Sequence, residues 1–304
     1  MKRLWRKRMA RKNKISSTIY KVEQPQELLP FLLETLSTTS RNSVKSILKR
    51  GQVVVEKRVQ TKHNFELERG QTVEVIKSKV SKRQTSLQGM KILHEDEDII
   101  VIDKSSGLLS MASPKEKQLT AHRQLMNYVR SVNPKNRIFI VHRLDKDTSG
   151  VMVFARSEQV KLKFQESWKR MVKERKYVAL VEGTLKQKDG TITSYLKESK
   201  SLQMYSSSNP HGGQLAVTHY KVKQYNKNFT LLDVHLETGR KNQIRVHMED
   251  LGHPIVGDKK YGANTNPIKR LGLHAEVLAF IHPRTGENLR FQSPVPKSFL
   301  STSK

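Results

Sequence analysis

IFIVHRLDKDTSGVMVFARS, residues 138–157, is the most informative stretch of this 304-residue chain. Apolar runs that end at Val141 and begin at Val151 have strand character, and between them stand His142, Arg143, Asp145, Lys146, Asp147, Thr148, Ser149 and Gly150. Polar groups gathered in one loop between two buried strands sit at a sheet edge, where a scaffold can hold them rigidly toward a cleft. A plainer reading competes: Asp147-Thr148-Ser149-Gly150 is good turn chemistry, and Arg143 needs only a local partner. Residue types alone favour the turn.

Around this loop, IIVID (99–103), VMVFA (151–155), YVALV (177–181) and FTLLDVHL (229–236) have the β-branched and aromatic content of buried strands. Val160, Phe164, Trp168 and Met171 mark the core face of one amphipathic helix, with Ser157 placed to cap it. No period of 20–50 residues repeats, which excludes solenoids and propellers. Nearer the start the texture is different. In RNSVKSILKRG (41–51), Val44, Ile47 and Leu48 take helical core spacing, Arg41, Lys45 and Lys49 recur on another face, and Gly51 ends the helix. That positive face is either an RNA contact or merely solvated. Val53 with Val55, and Val73 with Val75 behind the turn at Arg69-Gly70, alternate as short strands.

Lys and Arg number 57 against 28 Asp and Glu, a net charge of +29. Small soluble domains usually carry about 2 to 8, so a polyanion is the expected partner. Residues 1–15 hold eight Lys and Arg and no acid, and read as a flexible arm able to lie along phosphates. With no cysteine, disulfides, thiolate metal sites, iron–sulfur clusters and a cysteine nucleophile are excluded. The basic start lacks the apolar region of a secretory signal, and no apolar run reaches membrane-spanning length, so a soluble, cytoplasmic protein with no membrane partner is expected. A mitochondrial transit peptide is the alternative reading of residues 1–14.

His235, His247, His253, His274 and His282 follow no ligand spacing, so no metal is expected. Neither GxxxxGKS nor GxGxxG after a strand is present, so nucleotide cofactors are not expected either. Glu95-Asp96-Glu97-Asp98 reads as a solvated turn before a strand.

His142-Arg143-Leu144-Asp145 followed by Thr148-Ser149-Gly150 resembles the HRLDxxTSG signature of the RluA-type pseudouridine synthases. More matches follow in order: Lys176-Tyr177-Val178-Ala179, then TGRKNQIRVH (238–247), then GHPIVGD (252–258), then Leu273-His274-Ala275, with EDEDIIVIDKSSG (95–107) opening the series. Asn242 stands where a histidine is usual, and Ser105 where a proline is usual. The helix and ribbon over 16–80 are similar in pattern to the ribosomal protein S4-like RNA-binding module. The charge run sets off a basic arm at 1–15 and an aperiodic stretch of Ser, Gln, Lys and Gly reads as a linker at 81–90, while the resemblance implies an α/β S4-like domain at 16–80 and a catalytic domain at 91–304. For the catalytic domain it implies an α+β fold, a largely antiparallel mixed sheet with flanking helices and a central cleft.

The implied reaction moves a uracil from nitrogen to carbon attachment on its ribose, without redox change or cofactor. It needs an ionised carboxylate near sugar and base, as nucleophile or as partner of a glycal intermediate. The resemblance assigns that part to Asp145. It assigns Arg245 to keeping the carboxylate charged, and Tyr177 to stacking on the uracil and relaying a proton. Arg143 would fill the gap left by a flipped-out nucleotide, with His142 as loop support. Arg41, Lys45, Lys49 and Arg240 are counted among the RNA-facing cations. Large-subunit ribosomal RNA is the expected substrate and transfer RNA the runner-up; a non-catalytic ribosome-assembly factor is the reading from another class. A monomer is expected.

Overall fold

The structure is a computed structural model that describes residues 16–37, 39–49, 51–77, 87–114 and 116–304. The arm at 1–15 and residues 81–86 of the expected linker lie outside the described residues. Two compact units divide between Gln84 and Thr85.

In the first unit, Ser16–Lys21, Thr72–Lys77, Val53–Val55 and Arg58–Gln60 lie in that order in an antiparallel sheet. The alternating valines face one side and meet Leu28, Leu32, Val44 and Leu48 from the helices Leu28–Thr35 and Arg41–Lys49. Arg41 and Lys45 are exposed, so the second helix has the packed and basic faces its spacing predicts; the Lys49 side chain lies outside the described residues. Glu56 and Lys57 have φ of 44° and 66°, the left-handed pair that a two-residue hairpin requires. Asn-Gly is the usual filling. Here the Glu56 carboxylate accepts from the Thr72 amide (2.6 Å) and hydroxyl (2.9 Å), which ties the tip down.

The second unit is built on a mixed sheet. Its strands run Met204–Ser207, Asp189–Glu198, Gln214–Tyr225, Phe229–Leu236, Val172–Glu182, Leu273–Ile281, Ser149–Ala155, Ile99–Lys104 and Met90–Glu95, with Asn288–Gln292 and Phe139–Ile140 paired alongside. All four strands predicted above are present, and FTLLDVHL matches its strand end to end. Neighbours are antiparallel except at the middle, where Ser149 and Gly150 run parallel to His274 and Ala275. Gly150 makes that contact possible: at φ +115° a Cβ there would stand 2.1 Å from the Ala275 carbonyl oxygen.

Strand residues alternate between two covered faces. Ile100, Ile102, Met152 and Phe154 pack on the helix Ala121–Val132, while Val101, Val153 and their neighbours pack on Phe164 and Met171. In the other half, Ala179, Val181, Leu232 and Val234 pack on Ile244 and Met248 of the helix Gln243–Asp250. Tyr177 packs against both the Ala121–Val132 cluster and the Gln243–Asp250 cluster, which places it at the seam between the halves.

Two expectations change. The single helix through Met171 is two, Glu158–Glu166 and Trp168–Met171, interrupted at Ser167 (φ −114°, ψ 19°). Ser157 caps the first as expected, accepting from the Val160 amide at 3.2 Å. The break turns Trp168 onto His142, with ring centroids 5.3 Å apart. Nor is the acidic run simply solvated. Asp96 accepts from the amides of Asp98 and Ile99 (both 2.8 Å), Glu95 binds Arg156 (2.9 Å) and the Tyr128 hydroxyl (2.7 Å), and Asp98 binds Arg284. Glu95 and Asp98 thus find cations brought close by the fold, and Asp96 finds backbone amides.

Candidate active site

The loop between Ile140 and Ser149 is held from below by the segment after Ile99–Lys104. Ser110 is buried; its hydroxyl donates to the Leu144 carbonyl (2.7 Å) and accepts from the Leu144 amide (3.2 Å). The Gly107 amide and the Lys104 ammonium both donate to the Lys146 carbonyl (3.0 Å each), and the Ser106 hydroxyl donates to that of Asp147 (2.7 Å). Ser105, in place of the usual proline, donates its amide to the Gly89 carbonyl at 2.8 Å, a bond proline cannot make. On the other side the Val153 amide donates to His142 Nε2 at 3.1 Å. Burial, aided by Arg175, pushes the His142 pKa down to about 3, so the ring stays neutral with its proton on Nδ1. His142 is thus placed under Trp168 as a support for the loop.

Anchored on both flanks, the loop presents Asp145 half-exposed at the rim of a cavity of about 320 Å³. Volumes of this order suit small-molecule pockets. Tyr177, Arg245, Arg143 and Arg240 line the same cavity, with Leu236 and Leu273 among its apolar walls. Burial pushes the Tyr177 phenol above its ordinary range; Arg175 pulls it back and Asp145 adds to the rise. The phenol therefore keeps its proton at neutral pH and offers a ring face and a hydroxyl rather than a charge.

Arg245 projects from the helix Gln243–Asp250 and is fixed on several sides. Nε and Nη2 form a fork with the buried carboxylate of Asp258, at 2.6 and 2.7 Å, and the guanidinium lies over Tyr261 at 4.8 Å from the ring centroid. Nη1 reaches Asp145 Oδ2 at 3.3 Å. Burial alone would weaken the charge on Arg245, but the two carboxylates outweigh it and hold the group cationic. The chemical consequence lies in the asymmetry. Asp258 takes the strong two-pronged bond, whereas Asp145 receives one long contact that leaves most of its lone pairs free.

The structure brings Asp145, Tyr177, Arg245, Arg143 and Arg240 to one cavity. Arg143 is exposed, with the Met111 sulfur 3.9 Å from its Nη1, and Arg240 Nε donates to the Leu215 carbonyl at 3.0 Å. Arg41 and Lys45 belong to the first unit. Sequence reasoning assigned no part to Asp258, Asn242, Gln243 or Tyr261. Gln243 is buried and fully used: its carbonyl oxygen accepts from the Thr238 hydroxyl (2.8 Å) and Arg240 amide (3.0 Å), and its Nε2 donates to the Val217 carbonyl (3.0 Å) and Thr218 hydroxyl (2.9 Å). That clamps the loop feeding Arg245 to the neighbouring strand. A Gly-Asp pair inside a matched motif was the available signal for Asp258, but nothing in spacing pairs it with Arg245.

Among the described residues, Asp96, Asp98 and His282 form the one group with metal-compatible spacing. His282 Nδ1 accepts from the amides of Arg284 (3.3 Å) and Thr285 (3.1 Å), which leaves its proton on Nε2, facing Asp96 at 3.3 Å. A protonated nitrogen is not a metal ligand, and the charged partner in this cluster is Arg284, paired with Asp98.

Residues 98–250 match the family model for RNA pseudouridylate synthase. The chain is 34% identical over 291 residues to the uncharacterized RNA pseudouridine synthase YlyB of Bacillus subtilis, covering 94% of this chain and 95% of that protein. It is 32% identical over 304 residues to ribosomal large subunit pseudouridine synthase D of Vibrio cholerae, covering 95% and 93%. Human RNA pseudouridylate synthase domain containing 4 is similar in structure, with a TM-score of 0.57 and 26% identity over 69% of this chain and 90% of that one. The cleft described above lies in a mixed sheet of the same kind, and with sequence agreement across nearly its whole length the chain belongs to the RNA pseudouridine synthase family.

Proposed function

We propose that this protein isomerises uridines of large-subunit ribosomal RNA to pseudouridine, with Asp145 as the reacting carboxylate on a flipped-out nucleotide. The observation that carries the reading is the single Nη1 contact from Arg245 to Asp145 beside the Tyr177 ring, in a cavity of nucleoside-pocket size. During the reaction the bond from C1′ to N1 breaks, a bond from C1′ to C5 forms, the C5 proton leaves and N1 is left protonated. Asp145 serves the first step as nucleophile or as acid–base partner of the glycal. Tyr177, holding its own proton, stacks on the freed base and relays a proton rather than taking one outright. Arg143 at the rim takes the vacated position in the RNA stack or a neighbouring phosphate.

Support for the ribosomal substrate comes from those relatives that are matched over more than nine-tenths of their length and are named for the large ribosomal subunit. The first unit, with Arg41 and Lys45 on an exposed helix face, is proposed as an S4-like RNA-binding domain that adds affinity. Incubating the protein with transcribed large-subunit ribosomal RNA and with transfer RNA, then mapping pseudouridine, tests the reading. The expected result is modification of the ribosomal transcript by the parent and none by Asp145→Asn. An Asp145→Asn protein as active as the parent would remove Asp145 from the chemistry, and modification of transfer RNA alone would reassign the substrate.

A further inference from the structure

Asn242 occupies the N-cap position of the helix Gln243–Asp250, yet its side chain does not cap it. An N-cap asparagine normally has extended backbone and accepts from the second or third helical amide. Asn242 instead has φ 55° and ψ 20°, and its amide is directed elsewhere. Nδ2 donates to the Tyr261 hydroxyl at 2.9 Å, and Oδ1 accepts from Arg245 Nη1 at 3.3 Å. Tyr261 is fully buried, and its ring is the one beneath the Arg245 guanidinium. The nitrogen that Asn242 holds is the same Nη1 that reaches Asp145. Left-handed backbone is strained for every residue with a Cβ, though least so for asparagine and aspartate. The helix also forgoes a side-chain cap. Both sacrifices have a reason if the amide is required beside Arg245.

We propose that Asn242 is a positioning residue that directs Arg245 Nη1 at Asp145, and that an amide is suited to the task because it cannot titrate. This rests on the reading of Asp145 as the reacting group. Asp258 occupies the opposite edge of the guanidinium, so without Asn242 the remaining Nη1 hydrogens have only Asp145 and solvent as partners, and the two-pronged edge is free to tilt. The acidic and phenolic groups facing this point are Asp145, Asp258, Tyr177 and Tyr261, and Glu249 lies within electrostatic reach of Asp258. The cations around the cleft include Arg245 itself with Arg143, Arg240, Lys241, Lys146 and Lys260. None of these is a histidine. His247, on the next turn, faces Thr218 (2.8 Å) and Ser194 (3.0 Å) instead.

The test uses Asn242→His and Asn242→Leu in the full-length protein, with pseudouridine formation measured from about pH 5.5 to 8.5. A neutral imidazole retains one donor and one acceptor and tolerates left-handed backbone; an imidazolium has no acceptor and sets a second cation beside Arg245. The kcat of Asn242→His, divided by that of the parent at each pH, should be near one at pH 8 and fall tenfold per unit below about pH 6.5 or somewhat lower. Asn242→Leu should lose about tenfold in kcat with KM changed by less than about twofold. If the leucine protein does not fold, the histidine variant still decides the matter. A flat ratio for Asn242→His overturns the proposal, as does an unchanged kcat for folded Asn242→Leu. Asp145→Asn is assayed alongside: if it stays active the site reading has failed, and if it is inactive while the Asn242 variants behave as the parent only this inference has failed.

Discussion

Replacing Lys104 with methionine is expected to erase a stabilisation that the parent protein gains between pH 8 and pH 10.5. The Lys104 ammonium is fully buried, and its donors meet the carbonyls of Ser105 (3.1 Å), Leu108 (2.7 Å) and Lys146 (3.0 Å). Those acceptors are neutral and only partly replace water, so burial lowers the pKa from 10.5 to about 8 against the pull of Asp147 and Asp145. The unfolded chain keeps the proton until about 10.5. Within that window the unfolded state binds more protons than the folded one, so stability rises with pH. The difference, 10.5 − 8 = 2.5 units, corresponds to about 3 kcal/mol at about 1.4 kcal/mol per unit. It is an upper value, because the neutral amine has one donor fewer for three carbonyls. The penalty is fully present below pH 8 and fully relieved near pH 10.5. Urea unfolding of parent and Lys104→Met at steps across this range isolates the effect, since every other titrating group is common to both. The parent should gain on the variant by up to about 3 kcal/mol, and parallel curves would refute the reasoning.

Asp258→Asn leaves the Arg245 cation buried without its two-pronged partner, and should cost about 3–5 kcal/mol in urea unfolding. It should also lower kcat more than it raises KM, because the guanidinium then turns its fork on Asp145; retention of both stability and kcat would contradict the assigned roles. Gly150→Ala places a methyl group 2.1 Å from the Ala275 oxygen, so the protein should be insoluble or lose more than about 4 kcal/mol by the same measurement. Removing residues 1–80 should weaken RNA binding and flatten its dependence on salt by about 0.7–0.9 in logarithmic slope for each phosphate no longer neutralised, while circular dichroism shows the remainder folded. Unchanged affinity and slope would argue against an RNA-binding role for the first unit.

Much of this architecture was legible because it depends on local composition. Four buried strands were visible as β-branched runs, the helix over 41–49 as a stripe of Val44 and Leu48 opposite Arg41 and Lys45, and the Ser157 cap as a serine ahead of an apolar repeat. The helix break at Ser167 was not legible. The apolar spacing continues through it, and only the packing of Trp168 on His142 requires the turn.

For the site, the family resemblance carried by ordered motifs singled out a carboxylate, a phenol and a guanidinium at 145, 177 and 245, and a strand-loop-strand pattern put the first of them at a sheet edge. The tertiary structure decided how they are used. Asp145 and Arg245 are 100 residues apart and meet across separate elements, with Asp145 in the loop before the strand that Gly150 lets run beside Leu273–Ile281. The division of the guanidinium between Asp258, Asn242 and Asp145 likewise depends on contacts between separate elements. Periodicity reports which face of an element is buried, but hydrogen-bond partners across a fold leave no periodic trace, so the electrostatics of the cleft became readable only once the chain was folded.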